Sequence, residues 1–457
     1  MNYKMEWFLT GGHGVPCPMC SKLRRKGKLE ASHSNQESPI SMTTITELSR
    51  KLQRLMTSVA DRVARETGFI RRERQVTGAC FAQTLVLGGL AQPEGTRKQL
   101  HQSATRSGMQ VSVQGLDQRF TVSAVAFMRR LLEEALSEMV ESASTRGMLP
   151  QFKGVYLTDC TQIKWTGLGI KMAVRLELQQ GALQVHLTEI QHNDQKTEII
   201  DRCLPAGALH LADLGFFKLK RFSDWNERGV FWLSRFKVGT IVTTLDGQNL
   251  DLKQMLTGEE PIALAVKIGK KQPVSAFLVA APLSNKALTK RQTRLKEQAR
   301  LDQRPLSQRR ADLAHWTLYL SNIPDLTFPQ AFILARTRWQ IELLFKLWKS
   351  HAKVMISRSS DPIRQQVEGY AKLLGVLIAH WMLLVTGWQH DRLSAVDALR
   401  ILRTYIPLLQ RAFIYCPLFE DVFHWLKLDL EVAPPLPMRQ KTPLTFQLWR
   451  TIGALCP

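Results

Sequence analysis

Positions 336–349, Arg-Thr-Arg-Trp-Gln-Ile-Glu-Leu-Leu-Phe-Lys-Leu-Trp-Lys, form the most informative stretch of this chain. The spacing predicts one helix on which a narrow polar stripe interrupts a largely apolar surface; with about 100° per residue, the stripe holds Arg338, Glu342, Lys346 and Lys349. A single carboxylate beside strong bases on a mostly buried helix is typical of a site that binds a metal ion and a phosphate. The alternative is an ordinary Arg/Glu pair on a solvated helix face.

The charge balance of the chain favours a polyanionic partner. The 457 residues include 62 Lys and Arg against 39 Asp and Glu, a net charge of +23. Such an excess of positive charge is typical of proteins that bind nucleic acid.

The seven cysteines are odd in number and scattered, which indicates a reducing cytoplasm and not a disulfide framework.

Residues 1–42 are a poorly patterned leader, and we expect part of it to be dispensable or to reflect a misassigned start. Cys17 and Cys20 have the spacing of half a zinc knuckle, but a single Cys pair is a weak motif. The apolar run from Leu373 to Trp388 is shorter than a usual membrane span. We therefore interpret that run as a buried core helix and expect no membrane partner.

Residues 43–150 are predicted to form a helical DNA-binding domain. Its clearest element is an amphipathic helix from Ser123 to Leu136, with Thr121 as the N-cap. The region is basic, as binding to a DNA end requires. The alternative for each cation is a place on a solvated face. The cations are Arg71, Arg72, Arg74, Arg97, Lys98, Arg106 and Arg119.

From residue 151 the pattern changes to alternating strands. A first short strand carries Asp159, and a hairpin covers 171–190 with its turn at Gln179-Gln-Gly181. A helix is predicted around 195–203, followed by a strand at 208–213 that ends in Asp213. Strands, a helix and a further strand, with aspartates at the strand ends, are typical of a ribonuclease-H-like α/β core, here spanning 151–360.

The segment between Asp213 and Glu342 is longer than that fold requires, which predicts a β-rich insertion at about 218–325. Strand-like runs in it lie at 230–236, 261–266, 274–281 and 316–320. A basic segment at 286–310 interrupts them and is either a solvated helix or a phosphate-binding arm. Residues 361–457 are predicted to form a C-terminal helical region.

The three carboxylates Asp159, Asp213 and Glu342 predict a shared metal site. Carboxylate ligands that leave coordination positions open suit Mg²⁺ or Mn²⁺ on a phosphodiester. Two such ions would activate a water or a 3′ hydroxyl and stabilise the leaving oxygen. Arg338 and Lys349 are then candidate phosphate-binding residues.

These residues resemble those of a known family, the transposases of the insertion sequence four family, within the Asp-Asp-Glu transposase and retroviral integrase superfamily. Tyr156–Asp159 resembles the first catalytic strand and Leu211–Phe217 resembles the second. The stretch from Arg338 to Lys349 resembles the family signature of Tyr, two residues, Arg, three residues, Glu, six residues and Lys. Ala335 stands where that signature has Tyr.

The resemblance implies roles for further residues. Trp316 resembles a tryptophan that captures a flipped base, with a place in the core as the alternative. Trp339 is implied to pack near the DNA end. Lys346, on the same polar stripe as Arg338 and Lys349, is a further candidate DNA-binding residue. The C-terminal region is implied to bring two transposon ends together, in a homodimer.

The sequence thus predicts a DNA transposase that cuts at the ends of its insertion sequence and joins the 3′ hydroxyls to target DNA. Its partners would be the inverted repeats at the transposon ends and the target duplex. Two alternatives remain open. One is a catalytically inactive relative that inhibits transposition by binding DNA, and the other is a ribonuclease-H-like nuclease without strand transfer.

Overall fold

The structure is a computed structural model that describes residues 43–72, 75–142, 149–190, 204–388, 390, 392–438 and 443–452. Outside the described residues lie the predicted leader at 1–42 with its Cys17/Cys20 pair, Arg74, and the candidate helix at 195–203.

The described chain begins with helices. They are α1 (Ile45–Arg54), α2 (Ala60–Glu66), α3 (Gly78–Ala91), α4 (Arg97–Arg106), α5 (Val113–Asp117) and α6 (Val122–Leu136), with a π-helical turn at Leu55–Val59 between the first two. The predicted cap of α6 is confirmed, because the Thr121 hydroxyl accepts a hydrogen bond from the Ala124 amide. The apolar side of α6 is buried, as its amphipathic pattern predicted.

Within the described residues, nine strands form one mixed sheet. They are β1 (Val155–Trp165), β2 (Leu168–Glu177), β3 (Leu183–Glu189), β4 (Leu209–Ala212), β5 (Phe231–Arg235), β6 (Val242–Thr243), β7 (Ile262–Ile268), β8 (Val274–Pro282) and β9 (Trp316–Ser321), in the spatial order β3-β2-β1-β4-β5-β9-β8-β7-β6. β1, β4 and β5 run parallel to one another, whereas β2 pairs antiparallel with both β1 and β3. The chain is therefore α/β, as predicted.

The strands predicted within the insertion extend this same sheet. β9 pairs antiparallel with β5, and β8, β7 and β6 follow in antiparallel order. β5 itself pairs in parallel with β4, so it continues the parallel part of the sheet. The helices between these strands are α7 (Leu219–Glu227), α8 (Leu252–Met255), α9 (Asn285–Leu301) and α10 (Gln308–Asp312).

The remaining helices are α11 (Phe328–Thr337), α12 (Trp339–Lys346), α13 (Pro362–Gly387), α14 (Ala395–Ala412), α15 (Leu418–Glu431) and α16 (Thr445–Trp449). α13 is long and apolar enough to cross a membrane by composition, but most of its apolar stretch is buried inside the protein. The interpretation of Leu373–Trp388 as a buried core helix is confirmed.

α13 also makes close contact with the sheet. A Cβ atom on Gly369 would lie 2.2 Å from the Trp165 ring, so only glycine permits this approach of the helix to β1. The Trp165 indole donates a hydrogen bond of 3.0 Å to the Val354 carbonyl, in the segment that joins α12 to α13.

In the described part of the chain, two hydrophobic cores cover the two faces of the sheet. The larger one joins β1, β4, α12 and the helical regions, and includes Leu157, Leu211, Ile341 and Phe345. The smaller one joins the other face to α7 and to the extended part of the sheet, and includes Trp225 and Trp232. α12 therefore packs against the face of β1 that carries Leu157.

Candidate active site

Asp159 and Asp213 lie side by side on the sheet. The register pairs Leu157 with Leu211 and Thr158 with Ala212 in parallel, so Asp159 is directly across from Asp213, where strands are about 4.7–4.9 Å apart. Side chains alternate along a strand, so both aspartates project from the face that carries Leu157 and Leu211. The site therefore shares its face of the sheet with α12.

One expectation about Asp159 needs correction. β1 continues to Trp165, so Asp159 lies within the strand and not at its end. Only β4 ends here, and Asp213 follows it directly as the cap of a short 3₁₀ turn. Asp159 therefore lies in the middle of β1, beside the point where the parallel strand β4 ends.

The helix around Glu342 is less regular than predicted. It is broken at Arg338, between α11 and α12, and changes to a π-helical turn at Leu347–His351. The expectation of a mostly buried helix is wrong for its apolar surface, because Trp339 is 52 % exposed and Leu343 is 44 % exposed. Turns of the π type are common at functional sites.

Arg338 joins two of the candidate carboxylates. Its guanidinium donates to the Asp159 carboxylate at 3.2 Å and to the Glu342 carboxylate at 2.5 Å. All three side chains are largely buried, with Arg338 17 % exposed. The break in the helix places this guanidinium between the strand and the helix.

Arg235 is a site residue that the sequence analysis missed. It is the last residue of β5, and its guanidinium donates to the Asp213 carboxylate at 2.7 Å. A signal for it existed in the sequence, because the ends of adjacent parallel strands meet at one edge of a sheet. A cation at the end of the strand after Asp213 was therefore a candidate partner.

The pKa shifts of the two aspartates differ. Burial raises the pKa of Asp159, as do the nearby charges of Asp213 and Glu342, against the lowering effects of the Cys160 amide and Arg338. Burial also acts to raise the pKa of Asp213, but the Leu214 amide, Arg235 and Arg338 together hold it below its ordinary value. These mutual effects indicate that the three carboxylates and two arginines form one charged cluster.

The donor set of this cluster fits a hard divalent cation, but its present geometry is that of an ion-paired cluster. Within the described parts of the chain, no three His, Cys, Asp or Glu side chains are close enough together to hold one metal ion. Asp159 and Glu342 instead share the Arg338 guanidinium. Carboxylate oxygens are nonetheless the ligand type that Mg²⁺ and Mn²⁺ prefer.

The remaining candidate DNA-binding residues on this helix lie at different depths. Trp339 and Lys346 are exposed, and Lys349 is half-buried in the π-helical turn. Burial lowers the pKa of the Lys349 ammonium. Lys346 and Trp339 are therefore accessible to a ligand at the Glu342 side of the site.

Trp316 is placed in the core. It begins β9, is 5 % exposed and belongs to the smaller hydrophobic core. A side chain this deeply buried cannot stack on an extruded base without moving, so the structure favours the core alternative. Its position at the start of a strand was consistent with either role, and only its surroundings distinguish them.

Comparisons with known proteins find similarity to transposases. Residues 160–378 match the family described as "Transposase DDE domain", a match that includes Asp213 and Glu342 and begins directly after Asp159. The transposase for insertion sequence element IS231F of Bacillus thuringiensis subsp. israelensis is 25 % identical over 372 residues, 72 % of this chain and 78 % of that protein.

Two further relatives show the same extent of similarity. The transposase for insertion sequence element IS231B of Bacillus thuringiensis subsp. berliner is 24 % identical over 409 residues, 78 % of this chain and 85 % of the relative. The transposase for insertion sequence element IS1151 of Clostridium perfringens is 24 % identical over 385 residues, 73 % of this chain and 81 % of the relative. These matches run through most of the chain, so the resemblance to DDE transposases that its sequence predicted is confirmed.

Proposed function

We propose that this protein is a DNA transposase that cuts at the ends of its insertion sequence and joins the 3′ hydroxyls to target DNA by metal-dependent phosphoryl transfer. The first five strands would form a ribonuclease-H-like core, with an N-terminal DNA-binding domain and a C-terminal region that pairs two copies of the chain. The protein would act in the cytoplasm, on chromosomal DNA.

The observation that most supports this proposal is the cluster of Asp159, Asp213 and Glu342 around Arg338. The three residues are far apart in sequence, yet Asp159 and Asp213 lie side by side on the sheet, and the Arg338 guanidinium joins Glu342 to Asp159. The spatial order β3-β2-β1-β4-β5, with β1, β4 and β5 parallel, supports the ribonuclease-H-like core.

Each charged residue of the cluster has a proposed task. Asp159, Asp213 and Glu342 would hold two Mg²⁺ or Mn²⁺ ions, which when bound activate the attacking oxygen and neutralise charge on the leaving oxygen. Arg338, Lys349 and Lys346 would bind phosphates near the scissile bond, and Trp339 would pack on the DNA end.

The test is an end-cleavage assay on a duplex that carries the inverted repeat flanking the gene, with Mg²⁺ and a supercoiled target plasmid. The proposal predicts cleavage at the repeat and joined products in the target. Cleavage without joining would favour the nuclease alternative. Binding to the repeat without cleavage would favour the inactive DNA-binding relative.

Replacing Arg338 with Gln is expected to strengthen Mn²⁺ binding by the DNA-free protein about tenfold or more. A guanidinium in contact with two carboxylates repels a divalent cation at the same place, and unit charges 4 Å apart interact by roughly 4 kcal/mol near a protein surface. The amount of bound Mn²⁺ can be measured by electron paramagnetic resonance, which does not depend on catalysis.

The matched control is Arg336→Gln, since this neighbouring arginine is half-buried and donates to the Pro443 carbonyl instead of a carboxylate. Its Mn²⁺ affinity should equal that of the wild type. Equal affinities for both variants and the wild type would contradict the assignment of Asp159 and Glu342 as metal ligands.

Replacing Lys349 with Gln is expected to lower affinity for the transposon end and to reduce the slope of log affinity against log salt by about one, the effect of one lost phosphate contact. Anisotropy titrations over a range of NaCl concentrations measure this slope. Lys427→Gln, on α15, is the control. A lower melting temperature with an unchanged slope would mean that Lys349 serves packing instead.

A further inference from the structure

α9 is a helix of seventeen residues without a buried residue. One side of it is half-buried at a regular four-residue spacing, at Ala287, Arg291, Leu295 and Ala299. The exposed surface of the helix is rich in cations, which are Lys286, Lys290, Arg294, Lys296 and Arg300. Glu297 is the single acidic residue of the helix, so the exposed side of α9 is strongly positive.

Arg291 attaches this helix to the sheet. Its guanidinium donates to the Trp316 carbonyl at 2.5 Å and to the Thr317 hydroxyl at 3.2 Å, both on β9. Burial lowers the pKa of this arginine. Its hydrogen bonds face inward and fix the rotation of α9 about its axis. Because Arg291 holds one side of α9 against β9, the exposed cations of the helix face solvent.

The attachment point lies close to the candidate active site. β9 pairs antiparallel with β5, and Tyr319 of β9 is opposite Arg235 of β5. Arg235 in turn contacts Asp213, and the charges of Arg235 and Arg291 influence each other. Arginine side chains therefore extend from Arg235, beside Asp213, to Arg291 on α9.

We propose that the exposed side of α9 binds the sugar-phosphate backbone of duplex DNA that continues beyond the cleaved bond, without reading its bases. The identification of the partner as DNA rests on the proposed function. A helix rises about 1.5 Å per residue, so Lys286 and Arg300 are about 21 Å apart, a length over which B-DNA presents many phosphates. Lysine and arginine on an exposed helix suit a sequence-independent contact of this kind.

The experiment compares two triple variants of the full chain. Lys290→Gln, Lys296→Gln and Arg300→Gln together remove three cations from α9. Arg400→Gln, Arg411→Gln and Lys427→Gln remove the same charge from α14 and α15. Binding to a mixed-sequence duplex of about 30 base pairs is measured by anisotropy over a range of salt concentrations. The α9 triple is expected to reduce the salt slope by about 2 to 3, since each lost contact accounts for about 0.9.

Protection of amines gives a second measurement. In the DNA complex of the wild-type protein, Lys290 and Lys296 should react more slowly with an acetylating reagent than in the free protein, as followed by mass spectrometry. Melting temperatures of both triples should match that of the wild type, because these side chains are exposed.

Three results would overturn the proposal: an unchanged slope in the α9 triple, an equal reduction in the control triple, or a reduction seen with an RNA duplex and not with DNA. Failure of the proposed function looks different. If the wild-type protein cuts no DNA in Mg²⁺ but the α9 triple still reduces the slope, the α9 surface stands and the transposase mechanism does not.

Discussion

Replacing Asp159 with Asn, or Glu342 with Gln, is expected to abolish metal-dependent cleavage of the transposon end while leaving end binding largely intact. Each substitution keeps the size of the side chain and removes a negative charge that the proposed metal site needs. Loss of a group that merely orients a metal ligand costs 10–100-fold in metal affinity or activity, so loss of a ligand should cost more than about 100-fold.

Cleavage is measured under single-turnover conditions with Mg²⁺ and again with Mn²⁺, and binding is measured by anisotropy in the presence of a chelator. Asp224→Asn is the matched control, because this exposed aspartate lies on α7, which packs on the other face of the sheet. Near wild-type cleavage by the Asp159 or Glu342 variant would show that the metal site is elsewhere. Equal loss of cleavage and binding would indicate damage to the fold.

Replacing Trp316 with Ala is expected to destabilise the protein by roughly 3–5 kcal/mol, the usual cost of removing a buried tryptophan side chain. Its ring is 5 % exposed, among the side chains of the smaller core. Urea unfolding followed by circular dichroism measures this loss, and affinity for DNA should be unchanged under conditions where the variant is folded.

Trp339→Ala is the matched comparison, because this ring is 52 % exposed beside Glu342. Its stability should change by no more than about 0.5 kcal/mol, as for other surface substitutions. Affinity for the transposon end should fall by about 1–3 kcal/mol if the ring stacks on a base. The opposite pattern, a stable Trp316 variant that fails to bind the end, would restore the base-capturing role to Trp316.

The local elements were predictable from the sequence because they depend on near neighbours. Alternation identified the strands around Asp159, Asp213 and the insertion, and the cap at Thr121 marked the start of α6. The buried character of α13 followed from its apolar composition. The three candidate carboxylates were also chosen from sequence, through the pattern around Glu342 and the positions of the two aspartates.

The irregular shape of the helix predicted over 336–349 was not predictable in the same way. An ideal helix with 3.6 residues per turn gave the polar stripe, but the break at Arg338 and the π-helical turn at Leu347–His351 change the direction of the side chains. In this helix Arg338 contacts Asp159 of β1, and Ile341 and Phe345 belong to the larger core. Periodicity along a single helix does not include such contacts.

The sequence by itself determined the class of fold, the basic character of the chain and the identity of the candidate carboxylates, because each depends on composition or on short-range spacing. Only the tertiary structure decided that Arg338 bridges Asp159 and Glu342, that Arg235 contacts Asp213, and that Trp316 is buried while Trp339 is exposed. Ion pairs and burial are set by the residues that the fold brings together across long separations in the chain. The same residue type can therefore have different surroundings, and with them a different function.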